Sequence, residues 1–290
     1  MRDNAAELRS RLREGRPLVM PGVYDALSAR IAARAGFEAI FISGYGVSAS
    51  LLAEPDFGVL TQTEIVGAAQ RVCRAVGCPV LVDVDTGYGN AVNVIRTIEE
   101  VRRAGAAGVF LEDQVGPKRC GHMRGKRVIP RREQAQKIRA AARARGDGDC
   151  LIVARTDARQ AEGLEDAIAR ALAYRDAGAD ALFVEAPQSI DELGEIGRRL
   201  PPPLVANMVE EGATPLLSVD ELAALGFSLI VYPVTALFAA ARALEKAYAA
   251  LRRDGTSAAV RDEMLGFDAF NRLIGLEEKY ALDAEFRDDD

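Results

Sequence analysis

The chain has 290 residues, 49% hydrophobic and 28% charged, with 43 acidic against 37 basic side chains, one histidine and a formal charge of −6. That balance supplies a large α/β core and argues against nucleic acid or a membrane surface as partner, so an anionic ligand must be met by local cations. No apolar run approaches the roughly 20 residues of a membrane span, and no signal-peptide core opens the chain. The four cysteines form neither a disulfide framework nor a zinc pattern, so a reducing cytoplasm is expected.

The apolar runs, in chain order, are Leu18–Met20, Ala39–Ile42, Val80–Val82, Gly108–Leu111, Leu151–Ala154, Ala181–Val184, Leu204–Ala206 and Leu229–Val231. Each is too short for a helix and reads as a strand buried on both faces. Amphipathic stretches lie between them. Thr61 and Glu64 form a capping box that opens a helix ending before Gly77. Arg170–Ala177 runs into Gly178, and Ser218 with Glu221 opens another helix that stops near Gly226. Eight βα units imply a closed (β/α)8 TIM-type barrel, typically about 250 residues. An open doubly wound sheet is the alternative, but its glycine-rich fingerprint after the first strand is missing. From residue 255 to 290 a C-terminal helical extension carries Phe267, Phe270, Leu273, Ile274 and Leu276 on one apolar face. It is expected to pack on the outside of the barrel or on a partner subunit. No low-complexity linker divides the chain, so 1–290 reads as one domain.

Polar residues follow the strands: Ser43, Gly44 and Tyr45 after the second, Asp83 and Asp85 after the third, Glu112 and Asp113 after the fourth. Arg155 and Asp157 follow the fifth, Glu185 the sixth, Asn207 the seventh, and Tyr232-Pro233 the eighth. In a barrel these ends meet at one face, where catalysis is sited. Asp83 and Asp85, alternating along an extended segment, point the same way and repel unless they share a proton or a cation. Mg2+ suits them, because it prefers oxygen ligands and keeps several waters; Mn2+ tolerates similar donors. Glu112, one strand over, could hold a metal-bound water. Helix capping or arginine pairing are the plainer roles for these acids. Arg155, at the end of an apolar strand, needs an anion: a substrate carboxylate fits its fork, and Glu185 or Asp157 are the alternative partners. Asn207 and the backbone N–H groups near Ser43, Gly44 and Tyr45 could orient carboxylate oxygens.

The most concentrated chemistry is Lys118-Arg119-Cys120-Gly121-His122, which holds the only histidine. The neighbouring cations are expected to lower the thiol pKa and make proton transfer near neutral pH feasible. Gly116, Gly121 and Gly125 would let this loop open and close over a site. A nucleophilic Cys–His pair is the competing chemistry, ranked lower for want of an orienting partner.

Four segments together carry a resemblance: Asp83-Val-Asp-Thr-Gly-Tyr-Gly-Asn90, Leu111-Glu-Asp-Gln114, Pro117-Lys-Arg-Cys-Gly-His122 and Ala154-Arg-Thr-Asp157. The chain resembles the isocitrate lyase/phosphoenolpyruvate mutase superfamily from about Pro21 to its end. Within it, the 2-alkylmalate lyases of the petal death protein type look most similar. Carboxyphosphonoenolpyruvate phosphonomutases and methylisocitrate lyases stand alongside. Pro55-Asp-Phe-Gly58 and His122-Met-Arg-Gly-Lys126 are among the segments that look shared. The resemblance implies a metal-dependent barrel in which Asp85 is a ligand, directly or through water, with Asp83 and Glu112 acting through bound waters. It implies that Ser43, Gly44, Tyr45 and Arg155 bind the oxo-acid part of the substrate, and that Cys120 and Gly121 belong to a gating loop. His122, Glu185 and Asn207 complete the pocket. It also implies homodimers or homotetramers that exchange the terminal helix.

One departure narrows the substrate. Methylisocitrate lyases follow Tyr-Pro with a run ending in arginine, whereas Phe238 stands there in this chain. An apolar ring cannot pair a third carboxylate, so a dicarboxylate with an alkyl group is favoured. The expected reaction is C2–C3 cleavage of a 2-hydroxy dicarboxylate of the 2-alkylmalate type, with oxaloacetate hydrolysis on the same path. Cys120 would protonate the carbanion, Arg155, His122 and Lys118 would provide the surrounding cationic and polar groups, and Tyr45 is a candidate base. A phosphonomutase, a methylisocitrate lyase or a non-catalytic binding barrel are the other readings.

Overall fold

Eight short apolar segments become eight parallel strands in a computed structural model that describes residues 4–146 and 150–287. They are β1 (Leu18–Val23), β2 (Ile40–Ile42), β3 (Val80–Asp83), β4 (Gly108–Glu112), β5 (Leu151–Thr156), β6 (Ala181–Val184), β7 (Leu204–Asn207) and β8 (Leu229–Tyr232). Each pairs with the next, and β1 pairs with β8 through Leu18–Leu229 and Met20–Val231, which closes the barrel. The expected TIM-type architecture is therefore present. Helices follow the sequence signals: Thr61 and Glu64 form a reciprocal capping box before Gln62–Ala75, as Ser218 and Glu221 do before Val219–Ala224.

Two apolar layers hold the barrel. The outer one fills the space between strands and helices. The inner one takes every second strand residue, including Met20, Phe41, Leu81, Phe110, Val153 and Phe183, with Leu8 buried in the same cluster. Phe41 and Phe110 pack at 4.7 Å between ring centroids, and Phe110 and Phe183 meet edge-on at 5.9 Å. Burying aromatic rings of this size stabilises the interior by roughly 2 kcal/mol each or more.

By its contacts the chain divides into two compact units, Met1–Ala236 and Leu237–Asp290. The first contains all eight strands. The second contains most of the helix Thr235–Asp254 and then Phe267–Ile274 and Leu276–Glu285. It keeps Val260 and Ala250 buried while exposing Tyr248, Leu265, Phe267, Tyr280 and Phe286 by 60% or more. Among the described residues no helix is long and apolar enough to cross a membrane.

Candidate active site

The site grows out of the inner layer. Side chains on one face of a strand recur every second residue. Two positions beyond Phe41, Leu81, Phe110, Val153, Phe183 and Val205 stand Ser43, Asp83, Glu112, Arg155, Glu185 and Asn207. The polar residues expected to converge are thus the last inward layer at the C-terminal end. The Arg155 guanidinium lies 5.4 Å above the Phe183 ring, which fixes the order of the layers.

The acids meet as expected, by a different backbone route. The strand stops at Asp83, and Asp85 adopts a left-handed φ of 49°. Its N–H donates to Asp83 Oδ1 at 3.1 Å. A tight turn, not an extended alternation, therefore brings the two carboxylates together. Gly44 faces both: a Cβ there would lie 3.1 Å from Asp83 Oδ2 and 3.3 Å from Asp85 Oδ1. Gly44 opens the helix Gly44–Leu52, capped by Ser43, whose Oγ accepts from Gly46 N–H at 3.2 Å. The first-turn N–H groups of a helix point at whatever anion sits before it.

Lys118 is buried beside these acids, with Nζ 2.5 Å from Asp56 Oδ1 and 2.8 Å from Asp85 Oδ1. Asp56 and Asp85 share this one ammonium, whose charge also acts on Asp83. Both oxygens of Glu112 are buried without a hydrogen bond, although Arg155 Nε lies 3.3 Å from one of them. Burial, opposed by Lys118, raises Asp83 above the usual carboxylate range and Asp85 to about 6. Burial, opposed by Arg155, raises Glu112 well above its usual value. Four buried acids beside Lys118 and an Arg155 already held by Asp157 leave room for a further cation. Among the described residues no three acidic, histidine or cysteine side chains alone form a clasp for an ion. A hard divalent ion needs only one or two carboxylates and keeps waters.

On the opposite side, Arg155 binds Asp157 with Nε at 2.8 Å and Nη2 at 3.1 Å. Its Nη1 has no protein acceptor among the described residues. Asp157 is thus the intramolecular partner, leaving one edge of the fork for a ligand. Glu185 accepts from Asn207 Nδ2 at 3.2 Å and lies 3.0 Å from His122 Nε2. His122 Nδ1 accepts the Ala213 N–H at 3.0 Å, so the ring proton belongs on Nε2. Despite burial, the nearby Arg155 and His122 hold the Glu185 carboxyl below its usual range.

The cysteine loop is closed over this layer. Its neck is pinned by Val115 N–H to the Arg127 carbonyl at 2.8 Å. Gln114 holds Arg119 through both its N–H and its carbonyl, and the Cys120 N–H donates to the Asp56 carbonyl at 3.0 Å. Gly121 is pressed onto Glu185 and Arg155 so closely that any Cβ would overlap them.

Two expectations change. The thiol is not acidified: burial raises Cys120 to about 11, with the His122 N–H opposing and Asp56 and Glu185 reinforcing. The cations expected to lower it are committed elsewhere, Lys118 to Asp56 and Asp85, and Arg119 to the Phe57 ring and the Arg124 carbonyl. Burial also raises Tyr45, with Cys120 and Asp56 adding to it, so its phenol keeps its proton and serves better as a donor than as a base. Phe238 lies in the second unit and is 43% exposed.

Sequence reasoning assigned no role to Asp56, Gln114 or Lys126, though all three stand in quoted segments. Their signal was weak, because each works through contacts with chain distant in sequence or around a loop. Asp113 turns the other way, into a structural knot with Thr156 at 2.7 Å, Tyr174 at 2.7 Å and Arg170.

The chain is similar to known proteins along most of its length. The family described as phosphoenolpyruvate phosphomutase matches residues 8–252. A 2,3-dimethylmalate lyase from Eubacterium barkeri is 46% identical, covering 95% of this chain and 95% of its own. A chloroplastic carboxyvinyl-carboxyphosphonate phosphorylmutase from Arabidopsis thaliana is 52% identical, over 93% of this chain and 80% of its own. Among solved structures, oxaloacetate acetylhydrolase in complex with the inhibitor 3,3-difluorooxalacetate superposes with a TM-score of 0.93 at 36% identity, covering 98% and 97% of the two chains. Phosphonopyruvate hydrolase in complex with oxalate and Mg2+ superposes with a TM-score of 0.88 at 32% identity, covering 99% of each.

Proposed function

The chain belongs to the isocitrate lyase/phosphoenolpyruvate mutase superfamily, and from that premise we propose that it is a divalent-metal-dependent carbon–carbon lyase cleaving the C2–C3 bond of 2-alkylmalate-type dicarboxylates. The observation that carries this reading is a proton-bearing thiol, Cys120, on a closed loop pressed onto Arg155 and Glu185, beside a cation-seeking acid cluster. That arrangement can hold a small dianion, let charge build on carbon and then deliver a proton.

The metal reading is Mg2+, with Mn2+ as the alternative. Asp85 would hold the ion, with Asp83 and Glu112 reached through water. When bound, it would supply Lewis acidity to the substrate's oxygens. The helix start at Gly44 and Tyr45 would present N–H groups to the C1 carboxylate, the Ser43 N–H being held by the Val23 carbonyl, and the remaining Arg155 edge would meet an oxyanion. The C2 hydroxyl would give its proton to solvent, which restores the Cys120 thiol at the end of the cycle. The C2–C3 electron pair then passes to C3, where the adjoining carboxylate shares the charge, and C2 becomes the carbonyl of a 2-oxo acid. Cys120 Sγ–H protonates C3, which releases a simple carboxylate. His122 and Glu185 hold the receiving side in place, and Lys118 offsets the acids next to the metal position. Oxaloacetate hydrate, which carries the same C2 hydroxyl, would follow the same path to oxalate and acetate.

Phe238, standing where methylisocitrate lyases carry arginine, supplies no cation for a third carboxylate. Phosphonomutase chemistry is the second reading, favoured by the Arabidopsis thaliana relative. Incubation with 2,3-dimethylmalate, oxaloacetate, methylisocitrate and carboxyphosphonoenolpyruvate, with and without chelator, separates these readings. Metal-dependent 2-oxo acid from the alkylmalate supports the lyase, and turnover of the phosphonate precursor alone overturns it. The proposal includes a cytoplasmic homodimer or homotetramer, supported by the exposed Phe267 and Phe286 of the second unit.

A further inference from the structure

The cysteine loop carries a second buried cation that the reaction does not use. The Lys126 side chain is fully buried, and its Nζ lies 2.8 Å from Asp157 Oδ1. The same Nζ donates to the Gly121 carbonyl, five residues back along the loop. Lys126 stands beside the pinned neck, whereas Gly121 stands between Cys120 and His122 at the tip. One ammonium therefore joins the tip of the loop to the end of β5. Its acceptor Asp157 is the carboxylate that also grips Arg155 through Nε and Nη2.

We propose that Lys126 is a positioning residue: it latches the loop shut over the site and, through the shared Asp157 carboxylate, ties that closure to the orientation of Arg155. The physical reason is satisfaction of a buried charge. An ammonium has three N–H donors, and at full burial of the side chain they must be met by protein acceptors. While the tip is down, Gly121 supplies one acceptor. When the tip lifts, that acceptor leaves and the buried cation keeps only Asp157, so opening carries the cost of an unmet donor. The tip also rests on Arg155 itself, since Gly121 has no space for a side chain there. Thiol and guanidinium are thus set by one contact chain, Gly121–Lys126–Asp157–Arg155.

The inference rests on reading this face as the active site, but its test needs no substrate. The purified full-length protein is treated with iodoacetamide, and alkylation of each cysteine is followed by peptide mass spectrometry. Cys73, Cys78 and Cys150 serve as internal references, Cys150 being fully buried. Lys126→Met should raise Cys120 alkylation by roughly tenfold to a hundredfold, the span expected for losing one hydrogen bond to a charged group. The three reference cysteines should keep their rates. Should Lys126→Met fail to fold, Lys126→Leu, which also removes the donor and the charge, is read in the same way. An unchanged Cys120 rate in a folded variant overturns the latch. A parallel rise at all four cysteines also overturns it, because that marks general loosening. If no malate is turned over by the parent enzyme, the proposed function fails while the labelling still reports on the latch.

Discussion

Replacing Cys120 by serine tests the assigned chemistry most directly. The two side chains are nearly isosteric, so the fold should be retained. What changes is acidity. With the thiol at about 11, all but roughly one molecule in 3,000 carries the proton at pH 7.5. The parent enzyme thus enters each turnover with its acid loaded. Its activity should show no alkaline fall attributable to this thiol until the pH nears 11. A serine hydroxyl is a far weaker acid and delivers its proton poorly to a carbanion. Loss of a general acid is worth roughly 10²–10⁴ in kcat, or about 3–5 kcal/mol of barrier at 1.36 kcal/mol per decade. The assay couples 2-oxo acid formation from 2,3-dimethylmalate to reduction by NADH. In D2O, the parent should place one deuterium on a single face of the released acid, and the serine variant should lose that selectivity. A Cys120→Ser enzyme that keeps kcat within about threefold, with facial selectivity intact, would show that the proton comes from elsewhere.

Other consequences can be checked separately. Chelation should abolish turnover and Mg2+ should restore it, while Asp85→Asn should remove calorimetric Mg2+ binding. Because burial raises Asp85 to about 6, protons compete with the metal below that pH, and apparent affinity should fall by roughly tenfold per unit for each proton displaced; a pH-independent affinity from 5 to 7 would contradict this. The sole histidine allows an unambiguous nitrogen-15 spectrum, in which His122 should show the Nε2–H form, since Nδ1 accepts from Ala213. Gly212→Ala would place a Cβ 2.7 Å from His122 Nδ1, so kcat should drop by roughly tenfold or more while thermal stability changes little. Light scattering should return a mass of two or four chains, and Phe267→Asp with Phe286→Asp should reduce it.

The barrel was legible because a strand buried on both faces must be continuously apolar, and all eight such runs became strands. Legibility ended where conformation depends on contacts rather than pattern. The helix Gly44–Leu52 begins in Gly-Tyr-Gly-Val-Ser, a stretch of low helix propensity, and Ser43 as its cap and packing at the barrel mouth decide it. Asp85 was placed correctly beside Asp83, but its left-handed turn is not encoded by any glycine. The thiol was misjudged in one respect: nearness in sequence to Lys118 and Arg119 said nothing about where those cations point. Both turn away, toward Asp56, Asp85 and Phe57, and burial then governs Cys120. Lys126 had no assigned role until the fold supplied Asp157.

The aromatic stack of Phe41, Phe110 and Phe183 has an evolutionary corollary. These rings seal the pocket from beneath, and each is wedged against its neighbours, so enlarging or reshaping the chamber from that direction would disrupt the barrel itself. Descendants with new appetites must therefore be written at the rim, in loops that can change length and lettering while the masonry below stays as it was.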